Sequence, residues 1–192
     1  CAVLLRPIEG QRLLADPYFY PIYEEAQKLD MPIAIHIANG NSWLTDLYSH
    51  PVRIASTFHR FRIPTVAAFN DIMMSEIHDV FPRLRFGFIE ASAQWVPWVL
   101  HEAKNRFKTL AREWPGNPMR EFGMYVTCEN SDDLPYIVNE AGEDNLVIGT
   151  DYGHTDTSSD TDAIRIFRQR TDLTDAVKQK ILSDNARALY AL

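Results

Sequence analysis

The constraint that most limits this chain's fold is the alternation of short apolar runs with longer helical stretches along its whole length. Ala2–Leu5 (AVLL), Pro32–Ile37 (PIAIHI), Arg85–Ala91 (RFGFIEA), Met124–Cys128 (MYVTC) and Asn145–Thr150 (NLVIGT) are strand-like. Between and after them, helical spacing appears over Asp16–Leu29, Pro64–Val80, Val96–Phe107, Leu134–Ala141, Thr161–Gln169 and Asp172–Tyr190. Pro17 suits an early helical position, Gly142 a C-terminal stop, and Thr171 or Asp172 an N-cap. Strands separated by helices pair in parallel through crossovers. These strands are continuous apolar runs rather than alternating ones, as expected when both faces are covered. The reading is therefore one α/β domain over residues 1–192. Its least regular stretch, Gly40–Ile63, follows the strand that ends in His36. A polar and aromatic loop after a strand's C-terminal end is where a barrel or doubly wound sheet builds its site.

Composition excludes several classes. With 46% apolar residues and 11% aromatics, the chain can bury a core and disorder is not expected. Its net charge of -7, without a basic run, argues against nucleic acid, whose phosphates are bound by Lys and Arg. No apolar run approaches the roughly 18 residues of a membrane span, and no signal peptide is visible. The two cysteines, Cys1 and Cys128, have no zinc-finger or CxxC spacing and suit a reducing, cytoplasmic setting. The chain opens with Cys1 directly in the run AVLL, which leads us to expect that a segment normally precedes it.

Polar groups end five of the strands: Arg6 after AVLL, His36 after PIAI, Glu90 after FGFI, Cys128 and Glu129 after YVT, and Asp151 after VIGT. Parallel strands bring such groups to one edge, and in a barrel they converge. A single histidine at a strand end is more often a hydrogen-bonded structural residue; the set of five favours a site. His36 and Asp151 are candidate ligands of one divalent metal, zinc first, with Glu90 in reserve. The chain holds no HxH or HExxH pair that would complete a ligand set. In GTDYGHTD (Gly149–Asp156), Asp151 reads as ligand or general base and His154 as a proton-transfer or supporting group; the plain alternative is a helix-capping turn with Thr155, Asp156 and Ser158 as caps. Arg6, Arg53 and His59 could hold a substrate carboxylate, and Trp43, with Phe58, could line a pocket. His78 and His101 lie on expected helices and read as structural or exposed, and His50 has no assigned role.

Three segments carry a resemblance: DPYFYPIYEEAQKLDMPIAIH (Asp16–His36), FPRLRFGFIEASAQWVPWVL (Phe81–Leu100), and NLVIGTDYGHTD with the terminal DNARALYAL (Asn145–Asp156 and Asp184–Leu192). In their order and spacing they resemble the decarboxylase-like branch of the amidohydrolase superfamily, which includes aminocarboxymuconate-semialdehyde decarboxylase and resorcylate decarboxylases. The resemblance implies a (β/α)8 TIM barrel with one metal, usually zinc. Within it His36 would end the fifth strand as a metal ligand, and Asp151 would end the eighth as a ligand or proton shuttle. Glu90 departs from the histidine the decarboxylases carry at the end of the sixth strand, which favours hydrolysis; Gly153 departs from the usual proline. The first-strand HxH or ExH pair has no counterpart, so the chain would supply strands 4–8. The expected function is a metal-dependent hydrolase acting on a small carboxylated or cyclic substrate through a metal-activated water. The alternatives are a non-oxidative decarboxylase and a non-catalytic or split-chain half barrel. An N-terminal segment or complementary chain would supply strands 1–3, or a homodimer would cover the open edges.

Overall fold

A computed structural model describes residues 1–49, 58–154 and 159–192. Five strands form one parallel sheet in the order β1 (Val3–Leu5), β4 (Ile33–His36), β5 (Phe86–Ile89), β6 (Met124–Cys128) and β7 (Leu146–Ile148). Between β1 and β4, a two-stranded hairpin pairs β2 (Ile8–Glu9) with β3 (Arg12–Leu13). All five expected strands are present and adjacent in chain order. Among the described residues β1 pairs only with β4, and β7 only with β6, so the sheet does not close.

Register and alternation divide the sheet into two faces. Ile33 lies beside Phe86 and Phe86 beside Met124; one step on, Ile35, Phe88 and Val126 align. This face is the dry one, with each of these side chains at most 1% exposed. It packs against helices Tyr20–Lys28 and Ile63–Met74. Tyr23 meets Phe86 edge-on at 5.6 Å, and Phe69 meets Phe88 at 5.0 Å. Such aromatic pairs add about 1 kcal/mol each beyond the area they bury. The Tyr23 hydroxyl donates to the Leu14 carbonyl at 2.7 Å, so its burial strands no polar group.

The opposite face carries Leu4, Ala34, Gly87 and Tyr125 in one row and His36, Ile89, Thr127 and Val147 nearer the strand ends. It is only partly covered: Leu4 on β1 is 67% exposed. Over Gly87 sits Leu189, from the helix Asn185–Tyr190; a Cβ added at Gly87 would come within 3.0 Å of the leucine. Small residues on these strands therefore admit a plug from the last helix.

Local structure departs from the sequence reading at three places. The helix expected over Pro64–Val80 breaks into Ile63–Met74 and Ile77–Val80, because Ser75 takes an extended conformation and its hydroxyl receives the Ile77 N–H. Part of the irregular stretch Gly40–Ile63 is helical, Ser42–Tyr48, capped by Asn41, whose side-chain oxygen accepts from the Leu44 N–H. The expected helix over Asp172–Tyr190 starts at Asp175. Thr174 caps it rather than Thr171 or Asp172, and a π-helical turn at Lys180–Asp184 interrupts it.

Candidate active site

The C-terminal ends of the strands surround a cleft of about 310 Å3. His36, Glu90, Glu129 and Asp151 form its polar side, and Ile89, Val147 and Tyr190 its apolar floor. Each polar group arrives by the same route. A buried strand carries the backbone to the sheet edge, where its last residue (His36), the next one (Glu90, Glu129) or the third beyond it (Asp151) turns over the mouth.

Two of these residues adopt a backbone conformation that side-chain-bearing residues rarely take. Glu90 has φ 67° and Asp151 φ 42°, and Ser92 follows at φ 60°. Each costs about 1 kcal/mol or more and persists only where the surroundings impose it. At Glu90 the imposing group is Thr127, whose hydroxyl accepts the Glu90 N–H at 2.7 Å and donates to the Phe88 carbonyl at 3.3 Å. Gly149 leaves room for this: a Cβ there would lie 3.3 Å from the Thr127 Cβ.

His36 sets the proton accounting of the cleft. Its Nδ1 faces the Ile37 carbonyl at 2.9 Å and its Nε2 faces Glu90 Oε2 at 2.7 Å. With Nδ1–H donating to the carbonyl, the 2.7 Å contact between Nε2 and Glu90 is a hydrogen bond that needs a proton on one of the two groups. Across the cleft, His154 Nδ1 lies 2.9 and 3.0 Å from the two Asp151 oxygens, and the His154 N–H donates to the Asp151 carbonyl at 3.2 Å. The carboxylates of Glu90 and Asp151 are 10% and 12% exposed, against 61% for the His154 ring. Ligand atoms of Glu90, Asp151 and His154 all lie within 4.8 Å of one another. Imidazole nitrogen and carboxylate oxygen converging beside an open cleft suit a divalent cation such as zinc. The cluster of Glu90, Asp151 and His154 therefore fits a metal of the kind the resemblance implies; of the two expected ligands Asp151 belongs to it, and His36 adjoins it through Glu90.

Glu129 completes the acidic side. Burial pushes its carboxyl above the ordinary range; the Arg62 guanidinium, 3.5 Å from Oε1, opposes that, and the nearby Asp132 charge adds to it. Beneath, Cys128 is fully buried, and burial raises its thiol far above the usual value, so it is held as the unreactive thiol. Burial also raises the Tyr190 hydroxyl.

Of the residues singled out from sequence, His36, Glu90, Asp151 and His154 come together. Arg6 is tied to Glu9 by three side-chain contacts of 2.6 to 3.2 Å and does not line the cleft. His59 stacks on Tyr48 at 5.0 Å, and Trp43 is 67% exposed on the Ser42–Tyr48 helix. Arg53, His50 and the proposed caps Thr155, Asp156 and Ser158 lie outside the described residues. His78 is largely buried, stacked on Phe122 at 4.6 Å, and the exposed His101 ring contacts Asn105 at 3.2 Å. Glu129 was counted among the strand-end polar groups but given no role; Thr127, Arg62 and Asp132 were not singled out.

Comparison with known proteins places this geometry. A model of the amidohydrolase family matches residues 3–192. An amidohydrolase from Mycobacterium avium subsp. paratuberculosis K-10 superposes with a TM-score of 0.81 at 18% identity, over 98% of this chain and 50% of that one. For 5-carboxyvanillate decarboxylase from Sphingomonas paucimobilis the TM-score is 0.77 at 17% identity, over 100% and 58%. For 2,6-dihydroxybenzoate decarboxylase from Rhizobium it is 0.72 at 22%, over 98% and 61%. The chain thus spans half to about three-fifths of these structures, and its five-stranded sheet is the corresponding part of their (β/α)8 barrel. Over nearly its whole length, the chain belongs to the amidohydrolase family.

Proposed function

We propose that residues 1–192 carry the C-terminal part of the active site of a metal-dependent enzyme that hydrolyses a small carboxylated or cyclic substrate. The observation behind this reading is the meeting of His36, Glu90 and Asp151 around a single cleft, with His154 held against Asp151. His36 and Asp151 would hold one divalent ion, zinc first, with Glu90 within reach. When bound, such an ion would supply Lewis acidity for a substrate carbonyl and for water.

The chain's own groups do the rest. Asp151 takes a proton at a carboxylate oxygen, and His154, hydrogen-bonded to that carboxylate, orients it and passes the proton to solvent through its exposed ring. Glu90 Oε2, 2.7 Å from His36 Nε2, keeps the imidazole turned into the cleft. Ile89, Val147 and Tyr190 keep the floor apolar. Arg53, whose chemistry suits a substrate carboxylate, stays assigned to substrate contact from the sequence, whereas Arg6, His59 and Trp43 do not line the cleft. Strands 1–3 and the remaining ligands are assigned to an N-terminal segment or complementary chain, and a homodimer is the alternative cover for the open edges. The unpaired Cys1 and Cys128 suit the cytoplasm.

Non-oxidative decarboxylation is the second reading, and the two decarboxylases among the structural neighbours favour it. Against it, a carboxylate stands at position 90, where the resemblance calls for an imidazole acid. Metal content of the full-length protein, followed by turnover of lactone and aromatic-acid panels, tests both readings. A metal-free protein that retains activity would end both.

A further inference from the structure

Behind the cleft, one buried carboxylate ties together the two turns that carry its acidic groups. Asp132 is 5% exposed and follows β6 in the turn that leads into the helix Leu134–Ala141. Its Oδ2 accepts the Ala93 N–H at 3.0 Å and the Glu129 N–H at 2.8 Å, and its Oδ1 accepts the Ser92 hydroxyl. Ser92 and Ala93 lie just beyond Glu90 in the β5 turn, while Glu129 is in Asp132's own turn. A carboxylate serving only its own turn would bond the Glu129 N–H and stop there. Asp132 instead reaches a turn some forty residues earlier and holds it at Ser92, one of the residues with strained backbone. The helix it precedes is capped by another residue, Asp133, so Asp132 is not spent on that cap.

We infer that Asp132 is a positioning residue: its buried carboxylate locks the β5 and β6 turns against each other and thereby fixes where Glu90 and Glu129 face the cleft. This rests on the reading of the cleft as a metal-dependent active site. Thr127 holds the backbone on one side of Glu90, and Asp132 holds it on the other, so Glu90 cannot relax to an unstrained φ without breaking a buried hydrogen bond. Where Glu90 lies decides whether its carboxylate reaches His36 and the candidate metal position.

The test uses the full-length protein and four variants, with zinc affinity read by calorimetry and global stability by thermal unfolding. Asp132→Ala removes all three contacts and should weaken zinc binding about ten- to a hundredfold, the range for losing a group that orients a metal site. Asp132→Asn can still accept both N–H groups and should stay within about threefold of wild type. Ser92→Gly suits the positive φ, so the fold is kept while the Oδ1 contact is lost; it should weaken zinc binding severalfold without lowering the melting temperature. Gln94→Ala is the control. It cuts a neighbouring tie between the same turns, Gln94 Oε1 to the Asp133 N–H at 2.8 Å, and should leave zinc affinity unchanged. If Asp132→Ala does not fold, Ser92→Gly against Gln94→Ala decides. Wild-type zinc affinity in Ser92→Gly, or an equal loss in Gln94→Ala, overturns the inference. If the wild-type protein binds no metal, the functional reading fails, and a crystal structure of Ser92→Gly then decides the positioning role. A Glu90 carboxylate unmoved from His36 overturns it; a displaced one supports it.

Discussion

Single residues in this protein hold sharply different protonation behaviour according to burial. His78 is the clearest case. Stacked on Phe122 with its Nε2 buried and unbonded, it is pushed down to about 4 by loss of water around the charged form. The unfolded value is near 6.5. Its folded-state value is the lower one, so the unfolded chain takes up the proton first. Stability is complete above roughly pH 6.5 and falls as the pH drops towards 4, by at most about 3 kcal/mol. Urea unfolding at pH 7 and pH 4.5 should register the loss, and His78→Phe should flatten that part of the profile. In the cleft, Asp151→Ala in the complete enzyme should cut turnover by about a hundredfold or more. Activity within a few-fold of wild type would remove Asp151 from the mechanism. Glu90→His asks a different question, because it installs the group that the resemblance implies for the decarboxylases. Acquired carbon dioxide release from an aromatic acid would assign position 90 to the proton donor of that chemistry; loss of stability alone would make Glu90 structural.

At the scale of elements, the hairpin after β1 is seated against the loop after β4 by backbone. The Gly40 N–H donates to the Ile8 carbonyl at 3.0 Å, and a Cβ at Gly40 would fall 2.4 Å from that oxygen and 3.1 Å from the Arg6 guanidinium. Gly40→Ala must move main chain rather than a flexible tip, and should cost about 1–3 kcal/mol in thermal unfolding. The elements themselves were legible wherever one buried face controls the pattern. All five strands and the Leu134–Ala141 helix with its Gly142 stop, at φ 86°, follow from apolar runs and a turn residue. What stayed hidden depends on partners distant in sequence. The break at Ser75 needs a local hydroxyl bond that many serines could make. The Thr127 support of Glu90, the reach of Asp132 across two turns and the pairing of Arg62 with Glu129 exist only once the sheet sets β5 beside β6. The strand-end residues were readable because parallel pairing alone brings them together; the residues holding them in place were not.

Among the described residues the sheet is an arc rather than a closed barrel. Strand number, tilt and shear are linked, and five strands do not close at the geometry of eight. Leu4, exposed on β1, marks the face that remains open. Residues 1–192 expressed alone should therefore associate or melt without a sharp transition, as light scattering and calorimetry would report. A monomer unfolding in one sharp step with metal bound would contradict the assignment of the missing strands to another segment. No helix among the described residues is long and apolar enough to cross a membrane.

Leu189 over Gly87 and Tyr190 on the cleft floor make the cleft the joint product of the sheet and one helix, Asn185–Tyr190. The acidic groups come from separate turns, but part of the apolar base beneath them comes from that helix alone. Undocking it would admit water beneath the carboxylates while the strands stay paired, so a fragment ending before Leu189 should retain its sheet yet lose its cleft.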